Sequence, residues 1–164
     1  MIDYKIRPGT TADLPFLEEM LYEAVFWHPD AERTPRKEIF AVPEIADILA
    51  DWGKRDGDFS LIAVDAEEKK LGAVWYRFWT KENASFGFVD EETPEIGLAI
   101  IKEARGRGIG TDLIKQTIEH ANLMEIKKLS LSVEAKNPAL NLYKRFGFEK
   151  VTIVENSWTM VLNL

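Results

Sequence analysis

The chain of 164 residues contains no cysteine and only 2 histidines. Without cysteine, neither a disulfide framework nor a zinc site with thiolate ligands can form. His28 and His120 lack a third ligand at a spacing that would complete a zinc site. We therefore expect a protein that holds no metal ion and that depends on its hydrophobic core for stability.

The sequence also lacks long apolar runs and an excess of basic residues. No stretch approaches the roughly 18 apolar residues of a membrane span, and the opening segment MIDYKIRPG has no signal-peptide character. The 28 acidic residues outnumber the 21 basic ones, and the net charge of −7 argues against general nucleic-acid binding. We therefore expect a cytoplasmic protein that binds neither nucleic acid nor membranes.

The remaining composition is that of an ordinary globular protein. Hydrophobic residues make up 46% and charged residues 30% of the chain, and no repeat or low-complexity segment interrupts it. A chain of this length buries roughly two thirds of its unfolded surface when it folds. We therefore expect a single domain over residues 1–164.

Hydrophobic periodicity predicts helices and strands in mixed order. Apolar residues recur at helical spacing after residue 10, over residues 43–52 and after residue 110, and a short helix is predicted over residues 138–146. Runs rich in β-branched and aromatic residues predict strands at 3–7, 59–66, 71–80, 95–101, 127–133, 148–156 and 157–164. This order indicates an α/β protein of the α+β kind, with a mixed, mostly antiparallel sheet of about six to seven strands flanked by about four helices.

The segment EARGRGIGTDLI, residues 103–114, combines two arginines with three glycines and opens a predicted helix. A glycine turn between a strand and a helix directs backbone N–H groups and the positive end of the helix dipole at one place, which is typical of an anion site. The spacing is neither that of a P-loop nor GxGxxG. The segment predicts phosphate binding by the turn, with added charge from Arg105 and Arg107. The alternative is that the glycines only allow tight packing and the arginines are solvated.

The same turn resembles the best-known motif of the GNAT superfamily of N-acetyltransferases, which use acetyl-coenzyme A. That motif, Arg or Gln, two residues, Gly, one residue, then Gly or Ala, is filled by Arg105, Gly108 and Gly110. Downstream, the segment NPALNLYKRFGF, residues 137–148, is similar to the family's Asn, Ala, Leu-Tyr, Gly-Phe pattern. Two further segments are similar to the family's opening strand and helix and to its fourth strand with the following turn: 4–17 and 94–108.

The resemblance implies a binding site for acetyl-coenzyme A as a cosubstrate. It implies that the backbone amides from Arg105 to Thr111 wrap the pyrophosphate, and that the pantetheine arm pairs with backbone where the fourth and fifth strands splay apart. It also implies that Asn137 helps to hold the molecule. The binding residues that the resemblance implies are Leu98, Ile100, Ile101, Arg105, Gly106, Arg107, Gly108, Ile109, Gly110, Thr111, Asn137 and Tyr143.

Acetyl transfer to an amine also requires a proton acceptor, a proton donor and oxyanion stabilisation. Tyr143 matches the tyrosine that family members often use as a general acid for the leaving thiolate; alternatively, it is a core aromatic residue. Glu95 opens the predicted fourth strand, where several family members place a base, and burial there would raise its pKa. Alternatively, Glu95 is solvated, and Glu134 or a water molecule is the base. A backbone N–H between Leu98 and Ile100 is the candidate for oxyanion stabilisation.

The acceptor side is predicted less directly. Strand alternation places Trp75, Arg77 and Trp79 on one face of the sheet, and aromatic residues also crowd the end of the first helix. Such residues either line an acceptor pocket or belong to the core. His120 is predicted on the surface, away from the start of its helix.

These features predict an N-acetyltransferase that transfers the acetyl group of acetyl-coenzyme A to a primary amine of a small molecule or peptide by direct attack. The alternative is a non-catalytic module that binds coenzyme A or another nucleotide and acts as a sensor. Tyr143 and a usable base separate the two hypotheses. A homodimer is compatible with either.

Overall fold

A computed structural model describes residues 3–164 and contains a seven-stranded sheet in the order β1-β2-β3-β4-β5-β7-β6. Its strands are β1 (Tyr4–Pro8), β2 (Phe59–Asp65), β3 (Lys70–Arg77), β4 (Glu95–Ile100), β5 (Lys128–Glu134), β6 (Glu149–Val154) and β7 (Ser157–Asn163). All neighbours pair antiparallel except β4 and β5, which are parallel. The mixed, mostly antiparallel sheet predicted from the sequence is confirmed.

Within residues 3–164, five α-helices flank the sheet, and two of them are single turns. They are α1 (Leu14–Val25), α2 (Arg36–Ile39), α3 (Pro43–Ala46), α4 (Ile109–Leu123) and α5 (Ala139–Arg145). Short 3-10 turns at Thr11–Asp13 and Lys102–Ala104 precede α1 and α4. The sequence did not indicate α2, because four residues are too few for a periodic pattern.

The sheet separates two hydrophobic cores. Helices α4 and α5 bury Leu113 and Tyr143 on one face, and α1 buries Leu17 on the other. Side chains along β2 alternate between the two cores, as strand geometry requires: Leu61 and Ala63 belong to the first core, and Ile62 and Val64 belong to the second. Both faces of the sheet are therefore covered at its centre.

Buried ion pairs fix the start of α1 against the sheet. The Asp13 carboxylate, almost fully buried, accepts bonds from the Arg7 guanidinium at 2.8 and 2.9 Å and lies 2.8 Å from the Lys70 ammonium. It also accepts the Thr10 N–H at 2.8 Å. The hydrogen bond from Arg7 is the largest of the effects that hold the pKa of Asp13 well below its usual range. Helix α1, which begins directly after Asp13, packs mainly against β4.

The helix expected over residues 43–52 is wrong in length, since α3 ends at Ala46. The carbonyl groups that would continue it turn toward the buried Arg77 guanidinium, which donates to Ala50 O at 2.6 Å and to Asp47 O and Ile48 O at 3.3 Å each. Bonds to a buried charge outweigh the helical bonds that these carbonyls give up.

The expectation that His120 lies on the surface is also wrong. Its ring stacks on Phe59, with ring centroids 3.6 Å apart, and its Nδ1 lies 3.1 Å from the Tyr76 hydroxyl. This packing half-buries the imidazole, and the loss of solvent lowers its pKa. The sequence around His120 could not predict these contacts, because Phe59 and Tyr76 lie on strands that are far from α4 in the chain.

Over residues 3–164, no helix combines the length and apolar character that a membrane crossing requires. Within the same residues, no group of three or more His, Cys, Asp or Glu side chains is arranged to hold a metal ion.

Candidate active site

Strands β4 and β5 separate almost as soon as they begin. Their register contains one pair, Glu95 with Ser130, whereas β4 stays paired with β3 from Arg77↔Glu95 to Gly72↔Ile100. The gap that opens beyond Glu95 leaves one edge of β4 without a strand partner. It is the splay predicted from the sequence.

The direction of the backbone groups along β4 identifies which residues face this gap. The Ile101 N–H donates to Leu71 O of β3 at 2.8 Å, and Pro94 O accepts the Ser130 N–H of β5 at 3.0 Å. Because successive residues of a strand direct their N–H and C=O groups to opposite sides, Leu98 and Ile100 direct theirs into the gap. Ile101 faces β3 instead, so the structure separates it from the other two.

The glycine turn closes one end of the gap. Gly106 and Gly108 have φ angles of +75° and +85°, a region that residues with a Cβ rarely adopt, and α4 starts directly after Gly108. A Cβ at either position would meet no described atom within 4 Å, so the outer side of this backbone is open. The N–H groups of the first turn of α4 are thus accessible to an anion.

The two arginines of the turn behave differently. The Arg105 Nε donates to Ile100 O at 2.9 Å, and its Nη2 lies 3.3 Å from the Glu23 carboxylate of α1. Arg105 therefore ties the turn to the end of β4 and to α1, which neither of the two sequence interpretations included. Arg107 is exposed and does not line the cavity between the splayed strands.

A cavity of about 640 Å³ occupies the gap between the splayed strands. All the residues expected to bind the cosubstrate line it except Ile101 and Arg107; those present are Leu98, Ile100, Arg105, Gly106, Gly108, Ile109, Gly110, Thr111, Asn137 and Tyr143. The structure thus brings together the two sequence motifs, which are about thirty residues apart in the chain.

Tyr143 lies on the inner side of α5 and is 7% exposed. Its ring packs edge-on against Phe148, with centroids 5.8 Å apart. Burial raises the pKa of Tyr143, and no hydrogen bond or charge from the described residues opposes this effect. The residue is therefore both a core aromatic and a lining residue of the cavity, so the two sequence interpretations are compatible.

Asn137 lines the same cavity just before α5. Its Oδ1 accepts the Ala139 N–H at 2.9 Å, which satisfies a free donor at the start of this short helix. The side chain therefore stabilises α5, and with it the position of Tyr143.

A second cavity, of about 270 Å³, adjoins the first on the α1 side of the sheet. Its walls are aromatic, with Trp27, Trp75, Trp79 and Phe86 among the lining residues, and Arg77 lies in the same lining. The alternation expected from the sequence therefore places Trp75, Arg77 and Trp79 together. Gly97 provides room for this arrangement, because a Cβ there would lie 2.4 Å from the Trp75 ring.

Glu95 lies in the lining of the second cavity. Loss of solvent raises the pKa of its carboxyl group to about 7, although hydrogen bonds from the Ser85 side chain and the Gly87 N–H act in the opposite direction. The Gly87 N–H donates to its Oε1 at 2.6 Å. A Cβ on Gly87 would lie 2.7 Å from the Leu131 carbonyl carbon, so only glycine fits between Glu95 and β5.

Glu134, the other candidate base, is exposed at the rim of the second cavity, at the end of β5. It also lines a third cavity, of about 680 Å³, which shares Val25 and Trp27 with the second. Its position at the mouth differs from that of Glu95, which is enclosed by the loop before β4.

The first and second cavities meet at the middle of β4. Both are lined by Ala24, Trp27, Ile96, Gly97, Ser132, Val133 and Asn137. The glutamate therefore lies on one side of Gly97 and the tyrosine on the other, in a continuous space. Sequence reasoning missed Ser85 and Gly87, which hold the Glu95 carboxylate, since neither belongs to a periodic segment or a motif.

The sequence matches the Acetyltransferase (GNAT) family over residues 19–148. It is 31% identical over 132 residues to mycothiol acetyltransferase from Corynebacterium aurimucosum, covering 77% of this chain and 40% of that protein. It is 30% identical over 100 residues to the L-methionine sulfoximine/L-methionine sulfone acetyltransferase of Pseudomonas aeruginosa, covering 60% of this chain and 55% of that protein. The chain thus spans about half or less of the length of these curated relatives.

The fold is shared with solved acetyltransferase structures. PaiA N-acetyltransferase from Thermoplasma acidophilum, solved in complex with coenzyme A, superposes with a TM-score of 0.71 at 16% identity, covering 99% of this chain and 100% of that one. The family match covers most of this chain and includes the splayed strands, the glycine turn and α5. The chain belongs to the GNAT family of acetyltransferases.

Proposed function

We propose that this protein is an acetyl-coenzyme A-dependent N-acetyltransferase that acylates a primary amine by direct attack. The observation that carries the proposal is the junction of the two cavities at Gly97, with the half-buried Glu95 carboxyl group on one side and the buried Tyr143 phenol on the other. An amine entering beside Glu95 and a thioester entering beside Tyr143 would meet at the middle of β4.

The first cavity fits coenzyme A. Its glycine turn offers accessible N–H groups at the positive end of α4 for the pyrophosphate, because Gly106 and Gly108 leave that backbone uncovered. The free edge of β4 offers the C=O group of Leu98 and the N–H group of Ile100 to an extended amide-containing chain, as an added strand would use them. The Ile100 carbonyl already accepts a bond from Arg105, so the Leu98 carbonyl is the acceptor that we assign to the pantetheine arm.

Acetyl-coenzyme A would supply the thioester that is cleaved. Glu95 accepts the proton of the incoming ammonium group, directly or through one water molecule. Amines have a pKa near 10 and arrive protonated, so a base is required before attack. A carboxyl group with a pKa of about 7 is a far better proton acceptor than one with the ordinary value and still loses its own proton near neutral pH.

Tyr143 donates a proton to the departing sulfur. Its raised pKa keeps the hydroxyl protonated at neutral pH, so it is a hydrogen-bond donor throughout the reaction. The transfer to a thiolate is uphill for a phenol, and it is favoured when the thiolate is formed in a site shielded from water. As the C–N bond forms and the C–S bond breaks, the N–H of Leu98 donates to the oxygen on which negative charge develops, and the second proton that leaves the nitrogen restores the Tyr143 hydroxyl.

The names of the relatives support an acceptor amine on a small molecule, and a peptide amine remains the second acceptor class of the proposal. Mycothiol acetyltransferase and the L-methionine sulfoximine/L-methionine sulfone acetyltransferase are each named for small molecules. The cytoplasmic location and the homodimer stay predictions from the sequence.

A thiol-release assay tests the proposal. Acetyl-coenzyme A is offered with a panel of polyamines, arylalkylamines, amino acids, aminoglycosides and peptide N-termini, and acetylated product is identified by mass spectrometry. In parallel, acetyl-coenzyme A at 100 times its Kd should raise the free energy of unfolding by about 2.7 kcal/mol. Stabilisation without turnover of any amine would favour the non-catalytic sensor, and the absence of both effects would refute the two hypotheses together.

A further inference from the structure

We propose that the second cavity accepts a primary amine carried on an apolar or aromatic body, with no carboxylate beside the amine. This inference rests on the proposed function and specifies its acceptor. Arylalkylamines belong to this class, whereas free α-amino acids and polyamines do not.

The walls of the cavity favour an apolar body. Besides four aromatic residues, aliphatic side chains line the cavity; they are Leu21, Ala24, Val25, Ile45, Ile48, Ile96 and Val133. Flat rings beside aliphatic groups bind apolar or aromatic ligands by contact and by exclusion of water. A ligand made mostly of polar groups would lose its hydration here without regaining equivalent bonds.

The cavity has no free cation to bind a carboxylate. Among the described lining residues, Arg77 is the only lysine or arginine. Its Nε and Nη2 each donate to the Asp58 carboxylate at 2.8 Å, its Nη1 donates to backbone carbonyls, and the residue is 1% exposed. A carboxylate bound beside the amine would therefore lack the charge-assisted partner that such sites normally supply.

Apart from Arg77, the described charged residues that line the second cavity are negative. Glu95 and Glu134 line the cavity. The third cavity, which continues from its mouth, has one lysine, Lys136, against Asp30, Glu134 and Glu155. Arg105 and Arg145 line the first cavity, which is assigned to the cosubstrate. A substrate carboxylate would thus meet repulsion, whereas an ammonium group would be attracted.

Three compounds of similar shape test the inference. Phenethylamine carries only the amine, phenylalanine adds a carboxylate, and phenylalaninamide adds a neutral group of nearly the same size. We expect kcat/KM for phenethylamine and phenylalaninamide to exceed that for phenylalanine by at least about tenfold. Phenylalaninamide isolates the effect of charge, because it matches phenylalanine closely in volume. Equal or faster acetylation of phenylalanine would overturn the inference, and so would a clear preference for spermidine, which is all cation and little apolar surface.

A charge change at the rim provides a second test. Glu134→Lys should raise kcat/KM for phenylalanine relative to phenethylamine by about tenfold, while the matched Glu134→Gln variant should give a smaller change in the same direction. Glu134 is exposed, so both variants should fold, which thermal unfolding can verify. An unchanged ratio in the lysine variant would contradict the electrostatic argument.

Binding measured without turnover separates this inference from the proposed function. Isothermal titration of the protein saturated with coenzyme A should detect phenethylamine and should detect phenylalanine at least about tenfold more weakly. If the amine binds selectively but no amine is acetylated, the proposed function fails while the selectivity of the cavity stands. If none of the three binds or reacts although another amine does, this inference fails and the proposed function stands.

Discussion

Replacing Glu95 by glutamine tests its buried charge directly. Burial raises the pKa of Glu95 in the folded protein from 4.5 to about 7. Between these two pH values the unfolded chain has lost the proton while the folded chain retains it, so the folded state becomes less stable as the pH rises. A shift of about 2.5 pKa units corresponds to about 3 kcal/mol at 1.36 kcal/mol per unit.

Glu95→Gln removes this cost, because a glutamine oxygen can still accept the Gly87 N–H but carries no charge. At pH 8 we expect the variant to have a free energy of unfolding up to about 3 kcal/mol above that of the unmodified protein, and at pH 4 we expect nearly the same value for both. Urea unfolding at pH 4, 6 and 8 measures the difference. Glu134→Gln is the matched control, since this exposed glutamate should show no such dependence on pH.

The same variant tests the role of Glu95 as the base. For the unmodified protein, kcat/KM should rise about tenfold per pH unit below pH 7 and level off above it, as a single essential base requires. Glu95→Gln should lower kcat/KM by about 10²- to 10⁴-fold and remove that rise. A stability difference that is the same at pH 4 and pH 8 would refute the buried charge, and an unchanged pH–rate profile in the variant would assign the proton transfer to another group.

Three further variants test other parts of the site. Tyr143→Phe should lower kcat by about 10²- to 10⁴-fold and leave the Kd of acetyl-coenzyme A nearly unchanged by titration calorimetry; an unchanged kcat would remove Tyr143 as the acid. Gly108→Val should abolish binding of coenzyme A in the same measurement, because φ is +85° there and the new side chain would stand where the phosphates approach, whereas normal binding would place the phosphates elsewhere. Gly97→Ala should displace the Trp75 ring, which lies 2.4 Å from the new Cβ, and raise KM for the amine by about tenfold with a smaller change in the Kd of acetyl-coenzyme A; equal changes in both would show a general distortion of β4.

Local pattern was sufficient to predict most of the sheet, whereas most of the residues that line the first cavity could be predicted because two short motifs resemble those of the family. Each strand carries its own apolar or alternating pattern, and the Arg105-to-Gly110 turn and the segment with Tyr143 are short motifs whose residues are close in sequence. The splay could be expected only from the resemblance to the family, because no property of β4 or β5 alone states that their pairing ends after Glu95↔Ser130.

The features that sequence could not predict depend on partners far apart in the chain. Arg77 donates hydrogen bonds to the carbonyl groups of residues 47, 48 and 50. The helix therefore ends earlier than hydrophobic periodicity predicts, which is at Trp52. Arg105 reaches Glu23 across 82 positions, and Gly87 reaches Glu95 from a loop without regular structure. In each case a polar group is satisfied by tertiary contact, and hydrophobic periodicity contains no information about such contacts.

Loss of solvent raises the pKa of both proposed proton-transfer groups, Glu95 and Tyr143. Loss of solvent disfavours the charged form of any acid, so it raises the pKa of Glu95 to about 7 and that of Tyr143 above its ordinary value. At pH values between about 7 and 10, Glu95 is then ionised and Tyr143 is protonated, which is the combination that direct attack requires. The site therefore needs no additional charged residue to raise the pKa of Glu95 or of Tyr143. Because Glu95 lines the second cavity and Tyr143 lines the first, opening the second cavity to water should lower the pKa of Glu95 before it affects that of Tyr143.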